Sequence, residues 1–237
     1  EQFQNIFLSP EIDLLFEDLE TSSKATNTLK KQEGSYTDLY FNYSINQDLR
    51  DKKFRTESGY QTFFTQEVPI ISDNSEFSNA FEISKFKKLS TRSDTVGKIS
   101  FYAKTITGLS DDVRISKRLN IPSSKLRGFE KGRVGPVDNN DFVGGNHVTA
   151  LNLSATLPNI VEGFDNLDVG VFIDAANVWG VDYDNSLDDK NTIRTSTGVA
   201  FNLLTPIGPL SFSFANALTK ASTDKTETFR FRLGTQF

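Results

Sequence analysis

Among the residue types able to do chemistry, the sequence concentrates a definite interaction at Leu126-Arg127-Gly128-Phe129. The guanidinium of Arg127 carries its donors in a planar fork that matches a carboxylate two bonds at a time. Gly128 permits a tight turn, and Leu126 and Phe129 offer apolar surface by which the tip can be anchored. This is the chemistry of recognition inside a cavity, although an ordinary surface loop accommodates the same four residues. Catalytic constellations are missing. Cysteine is absent and His147 is the only histidine, which excludes a thiolate ligand set and argues strongly against a histidine metal cluster or a Ser-His-Asp site. Asp182, Asp184, Asp188 and Asp189 crowd together but lack the spacing of an EF-hand and read as a solvated loop. The sequence is read as non-enzymatic, with no metal and no cofactor.

The tetrapeptide lies in Ile121 to Gly145, which has neither helical nor strand periodicity and forms the heart of a long loop over about 110–145. Well-patterned segments flank it. Upstream, Leu39, Phe41, Tyr43 and Ile45 share one face against Asp38, Tyr40, Asn42 and Ser44, the period-two signature of a strand. Gly59 to Ile70 follows, ended by Pro69 and Ser72-Asp73-Asn74; then come Phe77 to Leu89 and Val96 to Thr107. Downstream the alternation is stronger. Leu151 and Leu153 oppose Asn152 and Ser154; Val169, Val171 and Ile173 oppose Asp168, Gly170, Phe172 and Asp174; Phe201 and Leu203 oppose Ala200 and Asn202; Phe212 and Phe214 oppose Ser211 and Ser213. The chain closes on Phe229, Phe231, Leu233 and Phe237 against Arg230, Arg232 and Gly234. The expectation is an all-β chain of about ten antiparallel strands.

Which face is inside depends on the solvent. The chain has 21 Phe against one Trp and 6 Tyr, and a formal net charge of -5. It lacks the basic footprint of a nucleic-acid binder. No run approaches the roughly 18 apolar residues of a membrane-spanning helix. Longer polar links near Asn139, Asp184 and Lys220 alternate with shorter turns near Glu162 and at Thr205 to Pro209, as in outer-membrane barrels. Arg194, Arg230, Arg232, Asp168 and Asp174 then suit a wet lumen, and the Phe, Leu, Ile and Val face meets lipid. A soluble barrel with an apolar interior fits the same alternation. Trp179 and Tyr183 are expected in an interfacial aromatic belt.

Several segments in order resemble the barrel of the BamA family of outer-membrane protein assembly factors. Leu126-Arg127-Gly128-Phe129 matches a sixth-loop Val/Leu-Arg-Gly-Phe motif. Thr56 to Tyr60, Gly144-Gly145-Asn146, Asp174 to Trp179, Thr205 to Leu210 and the terminal FRFRLGTQF agree as well. The resemblance covers nearly the whole chain and implies a transmembrane β-barrel of a Gram-negative outer membrane. Residues 1–237 would be the C-terminal portion of a sixteen-stranded barrel, with the first strands and the periplasmic repeat domains lying upstream.

It also implies a function: folding and inserting other barrel proteins by templating their strands on a lateral seam. The implied partners are the lipid bilayer, unfolded outer-membrane proteins and, through upstream domains, the lipoprotein subunits of the assembly complex. A passive pore or a polypeptide-secretion translocator on the same barrel is the alternative. In the family the loop arginine meets carboxylates on the two strands after the loop. Asp174 matches one of them, and Ser154 stands where the other is expected. Phe229, Phe231, Leu233, Gly234 and Phe237 resemble the C-terminal signal of barrel substrates and would form the seam strand.

Overall fold

The computed structural model describes residues 5–233, apart from 91, 93, 159–162, 164, 165, 188, 206 and 207. In chain order the elements are β1 (Ile6–Leu19), the single-turn α1 (Asn27–Lys30), β2 (Gly34–Asp48), β3 (Gly59–Ser72), β4 (Glu76–Lys88) and β5 (Val96–Gly108). The long loop follows and contains a small hairpin of β6 (Val137–Asp138) and β7 (Asp141–Phe142). Then come β8 (His147–Pro158), β9 (Leu167–Trp179), β10 (Arg194–Thr205), β11 (Gly208–Thr219) and β12 (Phe229–Leu233).

Ten of the strands form one antiparallel sheet in the order β1-β2-β3-β4-β5-β8-β9-β10-β11-β12. Each strand pairs with its neighbours in sequence, so no connection crosses another. Among the described residues β1 and β12 each have one partner, leaving two sheet edges. Residues 20–33, 109–146, 180–193 and 220–228 all lie at one end of the sheet, where hydrogen bonds join the first three of these links. The links at the other end have ten residues or fewer.

The solvent question is settled by which face is covered. Ile12, Phe16, Leu151, Val171 and Phe231 are 68, 72, 41, 50 and 49 % exposed on the convex face. The half-buried Phe201 and Phe212 pack there against Phe214, Phe229 and Phe231. Ser100, Ala150, Phe172, Asp174, Ser196 and Ser213, of the opposite parity, are buried. A belt of exposed Phe, Leu and Ile over ten strands far exceeds the apolar patches tolerated in water, while strands apolar outside and polar inside are the pattern of a membrane barrel. No helix among the described residues is long and apolar enough to cross a membrane, so crossing falls to strands. Val171→Arg is therefore expected to lower stability in lipid vesicles by about 2–4 kcal/mol, measured by denaturant unfolding. Thr156→Arg, on the other face, should not show that depth-dependent loss.

The buried apolar cluster lies between the concave face and the long loop. Val113, Leu119, Ile121, Leu126, Phe129 and Val134 of the loop pack on Ile106, Val148, Ala150, Ala176 and Val178 of the strands. One expected strand end is corrected. Pro69 does not terminate β3; Tyr40 pairs with Pro69 and Leu39 with Ile71, so Ile70 is an extra residue at a register shift. A proline without an N–H is tolerated at such an irregularity.

Candidate functional site: a loop seated on the concave face

The loop tip reaches β9. Arg127 Nε and Nη2 each donate to Asp174 at 2.7 Å, to Oδ2 and Oδ1 respectively, and the Arg127 backbone N–H donates to Oδ2 at 3.1 Å. Asp174 is fully buried, and the Arg127 side chain is 14 % exposed. Asn152, opposite Asp174 in the register, donates to Asp174 Oδ1 at 2.8 Å and to the Lys125 carbonyl at 2.7 Å. The guanidinium lies 3.4 Å from the centre of the Phe172 ring, a cation–π contact out of bulk water. Gly198, beside Phe172 in the sheet, leaves room for that ring, since a Cβ there would come 2.8 Å from Phe172 Cζ. Gly128 has φ +86, and a Cβ on it would press on Ala215 and Ser196 at 3.2 and 3.3 Å. Leu126 and Phe129 are 3 and 2 % exposed. The four residues thus act as a ligand for the sheet that carries them.

Three further arginines hold the loop. Arg114, fully buried, donates from Nη1 to Glu17 at 3.2 Å, from Nε to Glu76 at 3.2 Å and from Nη2 to Asp38, so it joins the loop to β1, β2 and β4. Its guanidinium stacks 4.3 Å from the Tyr36 ring centre. Burial works against its charge, but hydrogen bonds and attraction from Asp38 and Glu76 outweigh this and raise its pKa above the ordinary arginine value. Arg118 stands where the two legs of the loop meet. Leu119 and Gly145 exchange backbone hydrogen bonds at 2.8 and 2.9 Å, and Arg118 donates to Asn146 at 2.9 Å and to Asp182. On the far side Arg230 of β12 donates to the carbonyls of Ser123, at 2.6 Å, and Phe129.

A family model described as the Omp85 superfamily domain matches residues 10–237. The chain belongs to the Omp85 superfamily. Among curated proteins it is 30% identical over 141 residues to the outer membrane protein assembly factor BamA of Neisseria meningitidis serogroup B, covering 47% of this chain and 17% of that protein. It is 24% identical over 218 residues to BamA of Neorickettsia risticii, covering 90% of this chain and 29% of the relative. The chain thus spans less than a third of the length of either relative. Among solved structures, BamA from Haemophilus ducreyi lacking POTRA domains 1-3 superposes with a TM-score of 0.75 at 24% identity, covering 84% of this chain and 42% of that one. This likeness shows the fold. The protein is an outer-membrane β-barrel protein, similar to the C-terminal part of the BamA barrel.

Within this Omp85 barrel the residues singled out from sequence fall into three groups. Leu126, Arg127, Gly128, Phe129 and Asp174 come together. Ser154 does not join them by any hydrogen bond among the described residues; it pairs across from Phe172, and Asn152 takes the place beside Asp174. Phe229, Phe231 and Leu233 lie along the outer face of β12, while Gly234 and Phe237 lie outside the described residues, as do Asp188 and Glu162. Tyr183 is not in a membrane belt: it stacks on Arg118 at 4.9 Å and donates to Asp138 at 3.1 Å in the cap over the loop-bearing end of the sheet. Trp179 lies 5.4 Å from the His147 ring. No group of three or more His, Asp or Glu side chains among the described residues is placed to hold a metal ion.

The cap is expected to respond to acid through Asp182. Burial raises the pKa of this carboxyl, but bonds from the Val113 N–H, Asn146 and Arg118 outweigh it and hold it below the ordinary aspartate value. A carboxyl depressed in the folded state stabilises fully above its unfolded pKa, near about 4, and this support is lost as pH falls through the folded value. Hydrogen exchange of residues 109–118 is therefore expected to accelerate, relative to the intrinsic rate, as pH drops below about 4. Asp182→Asn should remove most of that dependence.

Proposed function

We propose that this chain is the C-terminal portion of the barrel of an outer-membrane protein assembly factor, which folds and inserts other β-barrel proteins into the outer membrane. The observation that carries this reading is an apolar-outside sheet whose concave face is occupied by its own loop, in a chain matched over residues 10–237 by the Omp85 superfamily domain. In the whole barrel the edge of the last strand, at the seam, is the working surface, on which a substrate strand is added through main-chain hydrogen bonds, although such an edge is normally a hazard. No bond chemistry is needed. The driving force is the substrate closing its backbone hydrogen bonds and burying its apolar faces in lipid. Further strands at the edges and periplasmic repeat domains complete the whole protein, and those domains engage the lipoprotein subunits.

The second reading is a passive pore or polypeptide-secretion translocator. The seated loop favours the assembly factor over an open pore, since Arg127 and its neighbours fill the lumen side. Depleting the protein in cells separates the two. The assembly reading expects the folded forms of unrelated outer-membrane barrels to fall together; loss of one exported polypeptide, with the other barrels unchanged, supports the translocator. The last strand is also proposed to carry its own assembly signal. Deleting Phe237 from the full-length protein should then lower the yield of newly assembled barrel severalfold, with little effect on the heat-modifiable mobility of barrels already inserted.

A further inference from the structure

Among the described residues β12 pairs with β11 over Phe229–Leu233. The segment leading into it, 224–230, is bonded to the long loop. Glu130 N–H donates to the Lys225 carbonyl at 3.0 Å, Lys225 N–H to the Arg133 carbonyl at 3.0 Å and Glu227 N–H to the Gly128 carbonyl at 3.1 Å, so Phe129 and Thr226 form an antiparallel bridge. Arg230 then clasps the loop from within β12, donating to the Ser123 and Phe129 carbonyls and, at 2.7 Å, to Glu227. Asp224, 5 % exposed, accepts from Arg194 Nε at 2.9 Å and Nη2 at 3.1 Å, from Gly135 N–H at 3.3 Å and from Ala221 N–H at 2.7 Å. One carboxylate thereby ties β10, the loop and the link into β12. Arg127 and Asp174 touch none of these link residues by hydrogen bond, but they seat the same loop.

We propose that Arg230 and Asp224 are positioning residues through which the seated loop holds the edge strand β12 in place. Loop and edge strand form one unit, and releasing the loop from Asp174 frees β12. The proposal rests on the assembly reading only for its consequence, that loop release changes the edge offered to a substrate. Coupling itself is independent of that reading.

The test is hydrogen exchange on the full-length protein in lipid nanodiscs, comparing wild type with Arg230→Met, Arg230→Lys and Asp174→Ala. Heat-modifiable mobility identifies variants whose barrel is intact. Arg230→Met should raise exchange of both 121–135 and 229–233 by about tenfold or more, with β8 and β9 unchanged. Arg230→Lys, which retains the charge and part of the donation, should give a smaller increase. Asp174→Ala decides the matter, because Asp174 hydrogen-bonds the loop tip and reaches β12 only through the attraction of its charge for Arg232; the comparison is therefore made with Arg232→Gln in both proteins. Accelerated exchange at 229–233 on adding Asp174→Ala to Arg232→Gln supports transmission through the loop; exchange there equal to Arg232→Gln alone, with the loop released, overturns the proposal. If Asp174→Ala fails to fold, Arg127→Gln replaces it under the same criterion. Assembly of an unfolded barrel by the same samples is scored separately, so that coupling without assembly counts against the functional reading alone.

Discussion

Replacing Asp174 with alanine is expected to release the long loop from the concave face. The carboxylate is fully buried and takes three hydrogen bonds from Arg127, two of them from its guanidinium. Its removal leaves a largely buried cation facing Phe172 without a countercharge. Breaking a buried pair in this way costs about 3–5 kcal/mol, much of it the penalty on the partner left behind. If that energy opposes loop opening, the open population rises roughly 10²–10⁴-fold. Trypsin cleavage near Lys131 reports this directly in the folded, detergent-solubilised protein. Asn152→Asp in the Asp174→Ala background returns a carboxylate to the adjacent position and should restore much of the protection. Ser154→Glu, the substitution implied by the family pattern, should restore less, since Ser154 stands across from Phe172. Protection in Asp174→Ala equal to the parent would show that Arg127 does not latch the loop.

Arg114→Met should be more damaging still. The arginine supplies the positive charge within hydrogen-bond reach of Glu17, Asp38 and Glu76, two of which are essentially unexposed. Methionine keeps part of the volume but leaves those carboxylates facing one another, so a loss of at least about 3–5 kcal/mol is expected. The folded, heat-modifiable form should then be scarce. A compensated variant distinguishes charge from packing. Adding Asp38→Asn and Glu76→Gln to Arg114→Met removes two of the stranded charges, and replacing a buried ionic group as a unit is often close to neutral. Recovery of the folded yield in the triple variant supports the electrostatic account. A triple variant as poor as Arg114→Met alone would locate the loss in packing on Tyr36.

The strands were legible in sequence because lipid and lumen demand opposite side chains at successive positions. Val169, Val171 and Ile173 against Asp168, Gly170 and Asp174 give the face of β9 without further information. Pairing partners are less legible, because alternation fixes which face a residue takes but not which residue lies beside it across the sheet. Asn152 and Ser154 share a face, and only the register distinguishes them. The roles of Arg114 and Arg230 were harder again. Their partners lie 97 residues away at Glu17 and 101 residues away at Phe129, and no local pattern links them. The available hint was that Asp38 and Glu76 fall near the loop-bearing ends of their strands with lumenal parity. Such carboxylates call for a cation, and Arg114 lies in the link that passes them.

The most direct test of the assembly reading is reconstitution of the full-length protein in vesicles of outer-membrane-like lipids. A urea-unfolded outer-membrane barrel is added and its folding followed by heat-modifiable gel mobility. Vesicles carrying the protein are expected to fold the substrate at least about tenfold faster than empty vesicles, an acceleration of about 1.4 kcal/mol or more in barrier. Folding no faster than in empty vesicles, from protein whose own barrel is correctly inserted, would contradict it.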